Sequence, residues 1–110
     1  MNEDFFSKEE LCTLRQIALE ELHELADKLE AVARILQERP GDPAARKTVL
    51  HIFHTIGGSA ALASFHEISQ LGVDMESRLK AAEAEPALSP ELMEKIAGSY
   101  IRLMEMLAQA

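Results

Sequence analysis

Residues 42–62 read DPAARKTVLHIFHTIGGSAAL and combine a helix-start signal with a helical stripe of apolar side chains. Asp42 can cap the first turn of a helix, and Pro43 suits the first helical position, where no backbone N–H is needed. The apolar stripe consists of Val49, Ile52, Phe53, Ile56 and Ala60. Spacings of three and four are those of one helix face, so the stretch predicts a helix over residues 43–62.

A long amphipathic helix is predicted before this stretch. Ser7 can cap the backbone amide of Glu10 while the Glu10 carboxylate returns a bond to Ser7, which is a capping box. The apolar stripe that follows consists of Leu11, Leu14, Ala18, Leu22, Leu25, Leu29, Val32 and Leu36. The pattern stops at Pro40, so we expect this helix to run from about residue 8 to residue 38.

Two further helices are predicted after the stretch. Ser64 and Glu67 form a second capping box, and the helix that they open is expected to end near Pro86. Its stripe consists of Ile68, Leu71, Met75, Leu79 and Ala82. Ser89 and Pro90 repeat the cap-and-proline start and open a fourth helix, which we expect to reach about residue 108.

The chain as a whole is predicted to be all-α. Each of the four helices has one apolar face, and the connections between them are short. This combination is typical of an antiparallel, up-down-up-down four-helix bundle. The chain has 110 residues, the size of one domain, so we expect residues 1–110 to form a single bundle.

Composition and charge narrow the classes of partner. Eleven Lys and Arg against nineteen Asp and Glu give a net charge of −8, which disfavours binding to nucleic acid or to anionic lipid. No apolar run approaches the roughly 20 residues of a membrane span, and the first residues are acidic where a signal peptide would be basic. The single cysteine, Cys12, excludes an internal disulfide and fits a reducing compartment. We expect a cytoplasmic protein whose partners are other proteins.

His54 is the strongest candidate for a functional side chain. With the apolar stripe of the 43–62 helix facing inward, helical projection turns His54 about 140° away from the core, on the same outward face as His51 and Gly58. Gly57 and Gly58 stand inside an otherwise strong helix and cost roughly 1 kcal/mol each relative to alanine. Packing does not require a glycine on the solvent side. We therefore interpret Gly58 as clearance that lets another molecule approach the imidazole.

Residues 52–61, IFHTIGGSAA, resemble the phosphorylation segment of histidine-containing phosphotransfer (HPt) domains. Such segments place the histidine between apolar residues, with Ser or Thr after it, and then continue with Gly and small residues. The resemblance extends through Phe65 and the run from Leu71 to Leu79. In that run Glu76 projects about 80° from the core stripe, at the flank of its helix, where it can reach a side chain of the 43–62 helix.

The resemblance implies a phosphorelay intermediate. His54 would accept and donate a phosphoryl group, and Glu76 has the offset of the residue that often lies near the histidine in this family. The implied partners are a response-regulator receiver domain and a histidine kinase. No cofactor is implied for this chain, because in the family the receiver domain brings the Mg²⁺. We predict a docking surface around His54 that comprises Lys47, Leu50, His51, Gly57, Gly58 and Ala61.

One position departs from the family pattern. A lysine usually stands three residues after the histidine, and this sequence has Gly57 there. Three consequences stay open: slower transfer, a substitute cation such as Lys47 two turns earlier, or a degenerate domain that docks a partner without being phosphorylated.

Metal binding is the alternative interpretation of the histidines. His51 and His54 are spaced i, i+3 with no carboxylate in the same stretch. Glu20 and His23 form one Glu-x-x-His unit, whereas di-iron bundles need two such units and further inward glutamates. A metal-dependent bundle enzyme is therefore disfavoured. The sequence also contains no P-loop, GxGxxG or kinase motif, so we expect a phosphotransfer carrier rather than an enzyme.

Overall fold

The computed structural model of the chain describes residues 7–110. This part of the chain forms four α-helices and no strand. The helices are α1 (Lys8–Glu38), α2 (Pro43–Leu62), α3 (His66–Ala81) and α4 (Pro90–Gln109). The predicted all-α class is confirmed, and α1, α2 and α4 begin and end within one residue of the predicted positions.

Three helix starts are fixed by the predicted caps. Ser7 Oγ accepts a hydrogen bond from the Glu10 amide at 3.1 Å, and Glu10 Oε1 accepts one from the Ser7 amide at 2.8 Å. Asp42 and Ser89 cap α2 and α4, each accepting from the backbone amide three residues later at 3.1 Å. These bonds satisfy amides that have no partner inside the helix, which is why such short local patterns set the helix starts.

The predicted capping box at Ser64 is wrong. Ser64 has a φ of 66°, in the left-handed region, and the position before α3 is held by Phe65, which makes no side-chain cap. The Ser64 amide donates to Ala61 O at 3.1 Å, and the Phe65 amide donates to Ala60 O at 2.8 Å. These two bonds form the Schellman motif that ends a helix. Ser64 therefore terminates α2 instead of starting α3.

The end of α3 also differs from the prediction. The helix stops at Ala81, several residues before Pro86. The Arg46 guanidinium donates to the carbonyl oxygens of Ala82 at 2.9 Å and Glu85 at 2.7 Å. These bonds satisfy carbonyl groups of the connection, so the backbone there does not need to continue as helix.

The helices pack in a ring around one core. α1 packs against α2, α2 against α3, α3 against α4, and α4 against α1, and the interface between α2 and α3 is the most extensive. The largest fully buried side chains are Phe53, Leu22, Leu29, Leu36, Ile56, Ile96, Leu103 and Val49. The antiparallel, up-down-up-down order of the helices stays a prediction, which the short connections favour. No helix within residues 7–110 is both long and apolar enough to cross a bilayer.

The first turns of α1 do not join the core as its stripe predicts. Leu11 is 42% exposed, and the first buried side chain of α1 is that of Ala18. The reason is length. α1 has 31 residues whereas its packing partners α2 and α4 have 20 each, so at about 1.5 Å per residue α1 is longer than the helices available to cover it.

A close approach of two backbones joins α2 to α3. A Cβ built on Gly72 would lie 2.6 Å from the Gly57 amide nitrogen and 2.7 Å from the Phe53 carbonyl oxygen. Only glycine allows this separation of the two helices. Gly72 lies one turn before Glu76, and Phe53 directly precedes His54, so the contact sets the distance across the candidate site.

Candidate functional site

His54 and Glu76 meet across the interface between α2 and α3. His54 Nδ1 lies 3.0 Å from Glu76 Oε2, within hydrogen-bond distance. The imidazole side chain is 67% exposed, whereas the Glu76 side chain is only 18% exposed because it lies at the junction of the two helices. The geometry therefore places a half-buried carboxylate beneath an open imidazole, as the flank position of Glu76 predicts.

The Glu76 carboxylate has a second partner on its own helix. Lys80 Nζ lies 3.2 Å from the same oxygen, Oε2, at the i, i+4 spacing that brings side chains together on a helix. Burial raises the pKa of the Glu76 carboxyl, but hydrogen bonds and charge from Lys80 and His54 lower it by more, and the net pKa lies below its ordinary value. Glu76 is therefore ionised at neutral pH.

The charge of Glu76 determines the tautomer of His54. An ionised carboxylate can only accept hydrogen bonds, so Nδ1 of His54 must carry the proton that it shares with Oε2. In the neutral imidazole the lone pair then lies on Nε2. This nitrogen points away from Glu76 on a ring that is mostly exposed. The pair thus presents a nucleophilic Nε2 to an approaching molecule, with the opposite nitrogen held by a negative charge.

His51 lies one turn before His54 but takes no part in this pair. It is exposed, and its Nε2 lies 3.5 Å from Thr55 Oγ1, whose hydroxyl donates instead to the His51 carbonyl at 2.9 Å. Within residues 7–110, no carboxylate forms an ion pair or hydrogen bond with the His51 ring. The structure therefore distinguishes two neighbouring histidines that share a helix face, and only His54 has an orienting partner.

Most of the predicted docking surface lies on the exposed side of α2. Lys47, His51, Gly58 and Ala61 are exposed, and Leu50 is half-buried. A Cβ on Gly58 would meet no atom of residues 7–110 within 4 Å, so packing within this part of the chain does not explain the glycine. Its open position leaves room beside the imidazole, which is the geometry that the clearance hypothesis needs.

Gly57 does not lie on that surface. It is buried, and a Cβ on it would lie 3.4 Å from Val73 Cγ2 and 3.7 Å from the Ser69 carbonyl oxygen of α3. Its own carbonyl accepts a hydrogen bond from Ser69 Oγ at 2.9 Å. Close packing against α3 explains Gly57, and including it among the exposed docking residues was wrong.

A groove between α1 and α2 extends the exposed face beyond the residues predicted from the sequence. It has a volume of about 940 Å³, and Lys47, His51 and Thr55 line it from α2 while Val32 and Ile35 line it from α1. Ile35 is 38% exposed, so the groove offers apolar area next to the histidine face. The sequence did not indicate this groove because it depends on how two helices lie beside each other.

The remaining histidine considered for metal binding lies on α1. His23, the second half of the Glu-x-x-His unit on α1, is exposed. Across residues 7–110, no three His, Cys, Asp or Glu side chains come close enough together to hold a metal ion.

Two residues of the site were missed by sequence reasoning. Gly72 permits the close approach of α2 and α3, and no local pattern distinguishes it from any other mid-helix glycine. Lys80 contacts Glu76, and this contact could have been found, because Glu followed by Lys four residues later is a recognised helix pair. The substitute cation considered from the sequence was Lys47, which lies two turns from His54 on α2.

Comparison with known proteins identifies the family of the chain and a structure with a similar fold. The Hpt domain family model matches residues 13–110. Among solved structures, the fold is similar to that of the CheA phosphotransferase domain from Thermotoga maritima, with a TM-score of 0.80 and 22% sequence identity, covering 94% of this chain and 97% of that one. No curated protein sequence matches the chain. Since the family model covers well over half of the chain, the protein belongs to the Hpt domain family, the histidine-containing phosphotransfer domains.

Proposed function

We propose that this Hpt domain is a phosphorelay intermediate in two-component signalling, with His54 as the residue that accepts and donates the phosphoryl group. The observation that carries the proposal is the 3.0 Å bond between Nδ1 of an exposed His54 and the half-buried carboxylate of Glu76. In the neutral imidazole that bond leaves the lone pair on Nε2, on the side of the ring away from Glu76, where a nucleophile must have it. A solvent-facing histidine without such a partner, such as His51, lacks this preparation.

The proposed transfer step forms one bond to phosphorus and breaks another. The Nε2 lone pair of His54 attacks the phosphorus of an aspartyl phosphate on a receiver domain. A new N–P bond forms as the acyl-phosphate P–O bond breaks, and the aspartate carboxylate leaves with that electron pair. The proton on Nδ1 stays in place, and the positive charge that develops on the ring faces Glu76. The reverse reaction returns the phosphoryl group to an aspartate, so one site serves both directions.

The proposed partners follow from what this site contains. The site offers a nucleophile and its orienting carboxylate, and the groups that activate an aspartyl phosphate are expected on the receiver domain together with its Mg²⁺. A histidine kinase would be the alternative donor. The cytoplasm is the proposed compartment, in keeping with the single cysteine of the chain. The exposed face of α2 around Gly58 is the proposed contact surface for both partners.

A phosphorylation assay tests the proposal without a cognate partner. Phosphoramidate, a small donor whose N–P bond is exchanged for one to histidine with loss of ammonia, should label the wild-type chain. The label should be acid-labile and base-stable, as phosphohistidine is. It should be absent from His54→Gln and unchanged in the matched control His23→Gln, because His23 is exposed on α1 and lies outside the pair between α2 and α3.

The second stage of the assay tests relay. Labelled protein is mixed with purified receiver domains in the presence of Mg²⁺, and loss of label from the Hpt domain with gain on a receiver supports the proposal. If the wild type takes up no label at His54, the phosphoacceptor role is wrong, and the domain is then a docking module of the same fold.

A further inference from the structure

One oxygen atom of Glu76 joins two cationic or potentially cationic groups. Oε2 lies 3.0 Å from Nδ1 of His54 and 3.2 Å from Nζ of Lys80. The distance between Nζ of Lys80 and Nδ1 of His54 is therefore no greater than the sum of these two distances. Lys80 lies one turn after Glu76 on α3, and its side chain is 61% exposed, so the ammonium is both near the ring and open to solvent.

The charge balance of the site changes when Nε2 of His54 carries a phosphoryl group. A phosphoryl group adds nearly two negative charges close to the carboxylate of Glu76. The phosphoryl group and the Glu76 carboxylate are both negative and repel each other, and a nearby cation offsets this repulsion. The cation is therefore needed most in the phosphorylated state and in the transition state that leads to it.

The position of the other nearby basic residues makes Lys80 the best-placed cation. Lys47 lies seven residues before His54, about 10.5 Å along the axis of α2. Arg46 is already held by the carbonyl oxygens of Ala82 and Glu85. Position 57, where the family usually has a lysine, is occupied here by a buried glycine that packs against Val73. Among the basic residues of 7–110, Lys80 is the one that contacts Glu76, the partner of His54.

We propose that Lys80 is a positioning residue for phosphoryl transfer at His54: it holds the Glu76 carboxylate against Nδ1 and balances the charge of the incoming phosphoryl group from α3. This inference rests on the proposed function of His54. It assigns to α3 a cationic role for which sequence reasoning considered Lys47 on α2. Because the ammonium approaches from Glu76 and from the α3 side, it leaves the α2 face around Gly58 open for the partner.

The variants that test this proposal change only the charge at position 80. Lys80→Met keeps the aliphatic length without the charge, and Lys80→Arg restores a cation. Lys95→Met, at an exposed position of α4, is the matched control, since α4 does not pack against α2 and Lys95 contacts neither His54 nor Glu76. Initial rates of labelling by phosphoramidate are measured for all three at low and high ionic strength, together with the free energy of unfolding.

We expect Lys80→Met to lose about two- to fivefold in rate at low salt, which is the effect typical of one exposed ion pair. The difference from wild type should shrink near 1 M salt, where exposed charges are screened over about 3 Å. Lys80→Arg should recover most of the rate, and Lys95→Met should equal wild type. A purely structural role would lower stability and slow labelling equally at every salt concentration.

Two results would overturn the proposal on its own. One is a wild-type rate for Lys80→Met at low salt, and the other is a loss that neither salt nor Lys80→Arg alters. In both cases the wild type is labelled at His54, so the proposed function stands. A wild type that is not labelled at His54 overturns the function and this inference together.

Discussion

Replacing Gly72 by alanine should separate α3 from α2 and thereby weaken the His54–Glu76 pair. The new Cβ would lie 2.6 Å from the Gly57 amide nitrogen and 2.7 Å from the Phe53 carbonyl oxygen. Both are backbone atoms inside α2 and cannot rotate out of the way. The two helices must therefore move apart by several tenths of an ångström, one turn from the carboxylate that holds the imidazole.

The expected cost is the difference between two terms. Forcing an extra methyl group into a tight contact costs about 1–3 kcal/mol. Alanine returns up to about 1 kcal/mol through its better helix propensity than glycine. We expect a net loss of roughly 1 kcal/mol in the free energy of unfolding, measured by urea denaturation. For a domain of this size such a loss lowers Tm by about 4–8 °C. Labelling of His54 by phosphoramidate should also slow, because the bond to Glu76 is lengthened.

Gly98→Ala is the matched control for this change. Gly98 is an exposed glycine inside α4, and a Cβ there would meet no atom of the described residues within 4 Å. It should stabilise the fold by about 0.5–1 kcal/mol, with His54 labelling unchanged. If Gly72→Ala matched Gly98→Ala in both stability and labelling, the close approach of α2 and α3 would have no part in positioning the site.

Four further predictions address the contact surface, the orienting carboxylate and the end of α2. Gly58→Leu should block exchange with a receiver domain while phosphoramidate labelling and the unfolding midpoint stay close to wild type; unimpaired exchange would exclude the clearance hypothesis. Glu76→Ala should slow labelling of His54 about 10- to 100-fold, by analogy with groups that orient histidine ligands, and a wild-type rate would remove Glu76 from the site. Because the folded-state pKa of Glu76 is lowered, the ionised carboxylate contributes to stability above the ordinary carboxyl pKa, and this contribution is lost as the pH falls through the folded-state pKa. Glu76→Gln should therefore be less stable than wild type at neutral pH, and the difference in their free energies of unfolding should become smaller in acid. Ser64→Gly should raise stability by about 1 kcal/mol in urea denaturation, since glycine adopts the left-handed φ of 66° without strain, and a destabilised variant would contradict the assignment of Ser64 to a Schellman motif.

Periodicity and caps were sufficient to predict most of the fold. The same spacing that buries Phe53 also turns His54 outward, so core and candidate site follow from one helical projection. Asp42 and Ser89 act through hydrogen bonds to amides only three residues away, which is why the sequence locates the starts of α2 and α4 so closely.

Local patterns fail where one motif has two uses or where a contact depends on another helix. Ser64 fits a capping box, yet the chain uses it to close α2, and only the backbone direction after Leu62 decides between the two. Gly57 and Gly58 look alike in the sequence, but α3 covers the first and leaves the second open. The position of Glu76 was expected from the family resemblance and its flank projection. The close approach of α2 and α3 at Gly72 was not expected from the sequence.

Nitrogen-15 NMR of the imidazole rings after phosphoramidate treatment tests the central claim most directly. The account predicts a single phosphohistidine, His54, with the phosphoryl group on Nε2 and the proton retained on Nδ1 by the bond to Glu76. Phosphorylation on Nδ1 would contradict the assigned role of Glu76. A phosphoryl group on His51, or no phosphorylated histidine in a folded protein, would contradict the assignment of His54 as the acceptor.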